Sequence, residues 1–269
     1  MTKLVRDLMH RGLLTCRPNA TLGQVAVLLN QNHVHALIVT DRGGRALGVI
    51  SDYDLLAGEW LSSDPESMTV MRKLTAADLM SQPVDSVESD MPLCDAVNIL
   101  IDKEISRLLV TEKGKPVGVI SLSDFVASIA SKEEPKREIV GDVMSDAILV
   151  CRGKTPIVSA ARTMTQAGWR SVLVVDAKGK VLGVVSGRSL LPFVKDGVDE
   201  KLTVRDVMHA PLTIDIHASL REAADKMIQN HHHRLVVVDD SDPEAFPLGI
   251  ISSFDIVAAM AHPDSIWQK

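Results

Sequence analysis

The sequence predicts an α/β protein built from four tandem copies of a unit of about 65 residues, each running strand, helix, strand, strand, helix. Two landmarks carry this prediction, because each recurs four times and the two keep the same phase. The first is Asp, then Leu or Val, then Met, and its methionines are Met9, Met80, Met144 and Met208. The second is Gly, two apolar residues and Ser, and it begins at Gly48, Gly118, Gly183 and Gly249.

The elements between the landmarks follow the same course in each copy. A short β-prone stretch, such as residues 212–214, comes after the first landmark. In the fourth copy Ser219 and Glu222 form a capping-box signature that opens an amphipathic helical run. Two apolar strands and a closing helix complete the unit. Because so small a sheet buries little surface by itself, we expect the repeats to pair.

Composition argues against several classes of protein. The 269 residues are 46% apolar, which is ample material for one or more cores. A net charge of -6 provides no field for nucleic acid or an anionic membrane, so binding to neither is expected. No apolar stretch approaches the ~18 residues that a membrane-spanning helix needs. The three scattered cysteines fit a reducing compartment, so we expect a cytoplasmic protein.

The order Asp-x-Met, two strands and Gly-x-x-Ser-x-x-Asp resembles the cystathionine β-synthase (CBS) domain over nearly the whole chain. The resemblance implies an α/β (α+β) fold of four tandem β-α-β-β-α CBS repeats, paired into two Bateman modules. The repeats are expected at residues 1–60, 72–131, 137–195 and 201–262. By the same resemblance, residues 1–131 form the first module and residues 137–269 the second.

The resemblance also implies a ligand and a role. Proteins with this domain bind adenosine compounds such as AMP, ADP, ATP or S-adenosylmethionine as regulatory ligands, with the ribose near the Ser and Asp of the closing motif. No further cofactor is required. A regulated partner protein, whose identity the sequence does not reveal, and possible homodimer formation follow from the same resemblance.

The closing motif has a chemistry of its own. Its glycine lacks a β-carbon and permits close approach, and its serine begins a helix whose free N–H groups favour a phosphate. An Asp three residues later offers two oxygens to the two hydroxyls of a ribose. The candidates are Ser51 with Asp54, Ser121 with Asp124, Ser186 alone, and Ser252 with Asp255. The third copy has Ser189 in place of the Asp. Ser-x-x-Asp is also a helix cap that needs no ligand, and this alternative stays open.

The resemblance further implies that basic residues just before the middle strands reach a ligand phosphate. A guanidinium suits this role because it bonds two oxygens at once. The candidates are His35, Arg107, Arg170, His233 and Arg234. The alternative for each is a solvated charge or an ion pair at the edge of a strand. For the base, an aliphatic slot is expected, built from residues such as Ile50, Val84, Ile120 and Ile214. Tyr53 is expected to pack against another repeat.

No catalytic or metal site is predicted. No thiol or hydroxyl has a His and Asp arrangement beside it, and the consecutive residues His231 to His233 would point to opposite faces of an extended chain. The predicted function is a non-catalytic regulatory protein that senses an adenosine nucleotide. The competing hypotheses are a ligand-free scaffold for protein assembly and an enzyme that acts on a nucleotide.

Overall fold

The computed structural model describes residues 3–60, 73–130, 139–196, 201–242 and 246–261. Thirteen strands lie in these ranges: His10–Arg11 (β1), Thr15–Cys16 (β2), Ala36–Thr40 (β3), Ala46–Ser51 (β4), Ser86–Glu88 (β5), Arg107–Glu112 (β6), Lys115–Ser121 (β7), Val150–Arg152 (β8), Ser171–Val175 (β9), Val181–Ser186 (β10), Thr213–Asp215 (β11), Arg234–Val238 (β12) and Gly249–Ser252 (β13).

The α-helices in the same ranges are Leu22–Gln31 (α1), Asp52–Trp60 (α2), Ala76–Leu79 (α3), Leu93–Asp102 (α4), Leu122–Ala130 (α5), Val140–Val143 (α6), Ile157–Ala167 (α7), Gly187–Asp196 (α8), Val204–Val207 (α9), Leu220–Gln229 (α10) and Ser253–Met260 (α11). A short 3-10 helix covers Val5–Asp7. None of the helices in the described part of the chain has the length and apolar character needed to cross a bilayer.

Each repeat contains one small sheet of the same design. The first strand pairs in parallel with the second, and the second pairs antiparallel with the third, as in the order β2-β3-β4. The helix between the first two strands is the crossover that a parallel pair requires. The middle strands are buried along nearly their whole length, because their apolar runs, such as Ala36–Thr40, are covered on both faces.

The helix starts follow from local sequence. Ser219 accepts a hydrogen bond from the backbone N–H of Glu222, whose carboxylate in turn accepts from Ser219, so the predicted capping box is present. Thr21 and Gln24 make the same arrangement at the start of α1. Apolar residues four and seven apart then face the core.

The segment that precedes the first full strand of each repeat lies on another repeat. We call these the leading segments; they are residues 3–13, 73–84, 139–148 and 201–211. The segment of repeat one adds β1 to the edge of β7 in repeat two, with His10 opposite Val119. The segment of repeat two joins repeat one through a bridge between Val49 and Ser81. Repeats three and four exchange their segments in the same way.

Contacts divide the chain into two compact units. One unit consists of Met1–Leu13, Asp85–Ile148 and Leu212–Lys269, and it holds the sheets of repeats two and four. The other consists of Leu14–Val84 and Leu149–Pro211, and it holds the sheets of repeats one and three. The predicted modules, residues 1–131 and 137–269, draw on both units, so they stay a prediction.

The cores show what holds each unit together. Repeats two and four share one core, in which Phe125 and Leu108 lie in the same cluster as Leu220 and Ile251. Repeats one and three keep two cores that exchange a residue. Leu191 of repeat three is buried in the core of repeat one, and Leu56 of repeat one is buried in that of repeat three.

Candidate functional site

The closing motifs lie where the third strand of each repeat ends and the second helix begins. In repeat one the backbone N–H and the hydroxyl of Ser51 both donate to Oδ2 of Asp54, at 2.8 and 2.7 Å. The same pair of bonds joins Ser121 to Asp124 at 2.7 and 2.8 Å, and Ser252 to Asp255 at 2.7 and 2.7 Å. These are helix caps, so the capping alternative is realised in three repeats.

The cap corrects the prediction that the Asp offers both oxygens to a ribose. Oδ2 is already engaged by the serine in each pair, so a ligand hydroxyl would have to bind Oδ1. Repeat three departs further, because Ser186 faces the hydroxyl of Ser189 at 3.3 and 3.4 Å. A neutral hydroxyl is a weaker acceptor for a diol than a carboxylate, as the sequence indicated.

The role predicted for the motif glycines also needs correction. A β-carbon at Gly249 would collide with the backbone carbonyl of Ser145, and one at Gly183 would lie 2.8 Å from that of His209. Gly118 and Gly48 meet the backbone of His10 and Ser81 in the same manner. The close approach is therefore made by a leading segment and not by a ligand.

The register of the strands separates the basic candidates into two groups. Arg107 pairs directly with Ser121, and Arg234 pairs with Ser252. Residues opposite each other in an antiparallel pair lie on the same face, about 5 Å apart at their β-carbons. The corresponding partners in the other repeats are Ala36 and Ser171. Repeats two and four thus have an arginine opposite the site serine in the strand register, and repeats one and three do not.

His35, Arg170 and His233 stand one position earlier, so the five candidates are not equivalent. His35 Nδ1 lies 2.9 Å from Oδ2 of Asp52 in its own repeat. His233 Nδ1 lies 3.2 Å from the hydroxyl of Ser123 in repeat two. Each is thus engaged with the start of a closing helix.

Arg170 packs on repeat one. Its guanidinium carbon lies 5.5 Å from the ring centroid of Tyr53, and the Tyr53 hydroxyl donates to the carbonyl of Thr165 at 3.1 Å. The prediction that Tyr53 packs against another repeat is confirmed. The predicted base slot is wrong at two positions, because Ile50 and Ile120 are fully buried in the cores.

The leading segments bring residues to the sites that the sequence analysis missed. His10, directly after the methionine of the first landmark, has its Nε2 2.7 Å from Oδ1 of Asp124. His209 holds the same place in the segment of repeat four, and its Nδ1 lies 3.4 Å from the Ser189 hydroxyl. Ser81 and Ser145 are the equivalents in the other two segments. The available signal was that the residue after the methionine is His in the first and fourth copies and Ser in the second and third.

The carboxylates of Asp54 and Asp124 are electrostatically unusual. Burial raises the pKa of Asp54 above its ordinary value, against the opposing effect of the Ser51 bonds and the nearby Arg170 charge. Burial likewise raises the pKa of Asp124, opposed by Ser121 and His10. Carboxylates desolvated in this way are typical of binding sites. Among the residues described, no group of three or more His, Cys, Asp or Glu could hold a metal ion.

Comparison with known proteins agrees with this architecture. The sequence model of the CBS domain matches four stretches, residues 5–59, 76–131, 140–196 and 204–262. An uncharacterized protein of Methanocaldococcus jannaschii, MJ1404, is 26% identical over 96% of this chain and 62% of its own length. Protein MK0525 of Methanopyrus kandleri is 28% identical over 45% of this chain and 60% of its own. The chain thus spans less than two thirds of these relatives.

Two crystal structures share the fold. Protein MJ1225 of Methanocaldococcus jannaschii superposes with a TM-score of 0.84 at 17% identity, over 96% of this chain and 99% of that one. A conserved protein of Pyrococcus horikoshii gives 0.66 at 21% identity, over 96% and 99%. The predicted fold of four β-α-β-β-α repeats is confirmed, and the chain belongs to the CBS-domain family, with four CBS domains in tandem.

Proposed function

We propose that this protein is a non-catalytic regulator that binds an adenosine nucleotide at the closing motifs of repeats two and four. The observation that carries the proposal is the cross-strand pairing of Arg107 with Ser121 and of Arg234 with Ser252. In these two repeats the strand register sets an arginine opposite the serine that caps the carboxylate. In repeat one the cation near Asp54 is Arg170 of repeat three, which packs on Tyr53.

The three groups suit the parts of a nucleotide. A carboxylate oxygen accepts a ribose hydroxyl, and the cap holds that carboxylate in a fixed direction. The guanidinium takes two phosphate oxygens in one planar contact. Since S-adenosylmethionine carries no phosphate, the arginines favour AMP, ADP or ATP over that ligand.

Repeats one and three are less complete sites. Repeat one has Ser51 and Asp54 but pairs the serine with Ala36. Repeat three lacks the carboxylate as well as the arginine. We therefore expect repeats two and four to bind first.

The regulatory output follows from differential affinity. A nucleotide that binds one arrangement of the repeats more tightly than another shifts the population toward that arrangement. A cytoplasmic partner protein, or a second copy of the chain, would read the shift.

The test removes both carboxylates. In the Asp124→Ala and Asp255→Ala double variant, affinity for AMP and ATP should fall about 10- to 100-fold, the loss expected for a hydrogen bond to a charged group. Isothermal titration calorimetry measures this directly, and far-ultraviolet circular dichroism checks the fold.

The matched control removes two caps of the same chemistry outside the sites. Asp78 accepts from the N–H and hydroxyl of Thr75, and Asp206 accepts likewise from Thr203. The Asp78→Ala and Asp206→Ala variant should bind as the unaltered protein does. Undiminished binding by the site variant, with its fold intact, would refute the role of the two carboxylates.

The ligand-free scaffold has one observation in its favour, which is that the Ser and Asp of each pair bond to each other as a helix cap. It predicts no shift of the melting temperature with any adenosine compound. A ligand at 100 times its Kd should instead stabilise the fold by about 2.7 kcal/mol, a shift of several degrees.

A further inference from the structure

The sites of repeats two and four differ at one residue that comes from a leading segment. His10 pairs with Val119, the residue after the motif glycine of repeat two. Ser145 bridges Ile250, the residue after the motif glycine of repeat four. The two residues therefore occupy the same place, and the chain provides an imidazole at one site and a small hydroxyl at the other.

The His10 imidazole occupies the Asp124 oxygen that the helix cap of repeat two leaves unbonded. Oδ2 of Asp124 accepts from Ser121 and Oδ1 lies 2.7 Å from Nε2 of His10, so both oxygens are engaged. The Asp124 side chain is 6% exposed and the His10 side chain 82% exposed. The imidazole thus covers the carboxylate from the solvent side, where it is free to swing away.

No such cover reaches the carboxylate of repeat four. Ser252 holds Oδ2 of Asp255 as elsewhere, and the Ser145 hydroxyl points to the carbonyl of Ala147 at 3.5 Å. Within the described ranges, no side chain donates to Oδ1 of Asp255.

Arg11, the residue beside His10, does not reach the site. Its guanidinium pairs with Glu112, the last residue of β6, at 3.2 Å. Adjacent residues of a strand point to opposite faces, which separates the two side chains. His10 is therefore the group of this segment that governs access to Asp124.

We propose that His10 is a displaceable plug, which competes with the ribose of the nucleotide for Asp124 and makes repeat two the weaker of two unequal sites. This inference rests on the proposed function. A nucleotide must break the contact between His10 and Asp124 before its ribose can bind, whereas at repeat four the oxygen is open. A charge-assisted hydrogen bond of this kind lowers the affinity of a competitor about tenfold or more.

The chain suggests its own reciprocal substitutions. His10→Ser gives repeat two the residue that repeat four has, and Ser145→His gives repeat four the plug. Calorimetry with AMP on the full chain should resolve two affinity classes. His10→Ser should tighten the weaker class about tenfold and leave the tighter one unchanged, and Ser145→His should weaken the tighter class by a similar factor.

Two controls assign the classes and protect the conclusion. Asp255→Ala should remove the tighter class and Asp124→Ala the weaker. His217→Ala changes an exposed histidine outside the closing motifs and the leading segments, and should leave both classes unchanged. Melting temperatures identify any variant with a damaged fold, and His10→Ala then serves as a second removal of the plug.

The outcomes separate the two claims. If AMP binds and His10→Ser leaves the weaker class unchanged or weakens it, the plug is wrong and the nucleotide site stands; weakening would make His10 a ligand contact. If AMP binds neither to the unaltered protein nor to His10→Ser, the proposed function fails and the plug fails with it.

Discussion

At the scale of single residues, the chain uses glycine and aspartate for more than one purpose. The carbonyl of His10 lies directly where a β-carbon of Gly118 would stand. Because Gly118 has no side chain, β1 can pair with the edge of the sheet. Asp124 caps a helix through Oδ2 and also holds the imidazole of His10 through Oδ1. Sequence patterns that indicate a ligand therefore also reflect packing.

Gly118→Ala should destabilise the protein by about 1–3 kcal/mol, the usual cost of forcing an extra methyl group into a packed site. The measurement is the free energy of unfolding in urea. Gly153→Ala is the matched control, because its nearest neighbour would lie 3.8 Å away, an ordinary contact distance. Equal stability of the two variants would show that β1 shifts to accommodate the added methyl group at little cost.

Asp54→Asn should stabilise the protein at neutral pH. Burial raises the pKa of Asp54 in the folded state, so the ionised carboxylate costs stability, and this cost appears as pH rises through the raised pKa. The gain from Asn should shrink as pH falls toward about 3, where the unaltered carboxyl is protonated in both states.

Asp206→Asn is the control of opposite sign. Bonds from Thr203 lower the pKa of Asp206, so its stabilisation is present above the ordinary carboxyl pKa and is lost as pH falls through the lowered one. This variant should be less stable than the unaltered protein at neutral pH. Thermal melts between about pH 3 and pH 7 compare the two. Parallel pH profiles would contradict the assignment.

At the scale of elements, the sequence predicts what is local and misses what is exchanged. The strands and long helices can be predicted from the spacing of apolar residues and from helix caps, which are signals contained within about a dozen residues. The cap at Ser219 and Glu222 is an example. The bridge between Val49 and Ser81 joins residues of two repeats, and local periodicity contains no trace of it. The short helix Val204–Val207 was missed because four residues are too few to show a helical spacing of apolar side chains.

The contacts of the candidate site also divide into local ones, which the sequence predicts, and contacts between distant segments, which it does not. Ser252 and Asp255 could be paired from their spacing alone, because a helix cap spans three residues. The difference between Arg234 and its neighbour His233 depends on strand register, which the sequence left undefined. The contact of His10 with Asp124 depends on the exchanged segment, so no analysis confined to one repeat would find it.

At the scale of the whole molecule, each compact unit takes its repeats from both halves of the sequence. Repeats one and three are tied by the exchange of Leu56 and Leu191 between their cores. Since both side chains are at most 4% exposed, each repeat completes the core of the other. The stability of this unit therefore depends on repeats one and three together.

Leu191→Ala should cost about 2–5 kcal/mol, because it leaves a cavity in the core of repeat one. Urea unfolding followed by circular dichroism measures the loss. Leu14→Ala, in the same unit, removes a leucine that is 43% exposed and should have little effect. A loss below 1 kcal/mol for Leu191→Ala would mean that the core of repeat one is complete without repeat three.

The exchange of leading segments constrains how a gene for such a protein can be cut or lengthened. If the chain is cut between two repeats that exchange segments, one sheet loses the leading segment that pairs with its edge strand. The other leading segment loses the sheet on which it packs. A single added repeat creates the same mismatch. Viable duplications and deletions should therefore proceed two repeats at a time, which makes the pair, and not the single repeat, the unit of inheritance for this architecture.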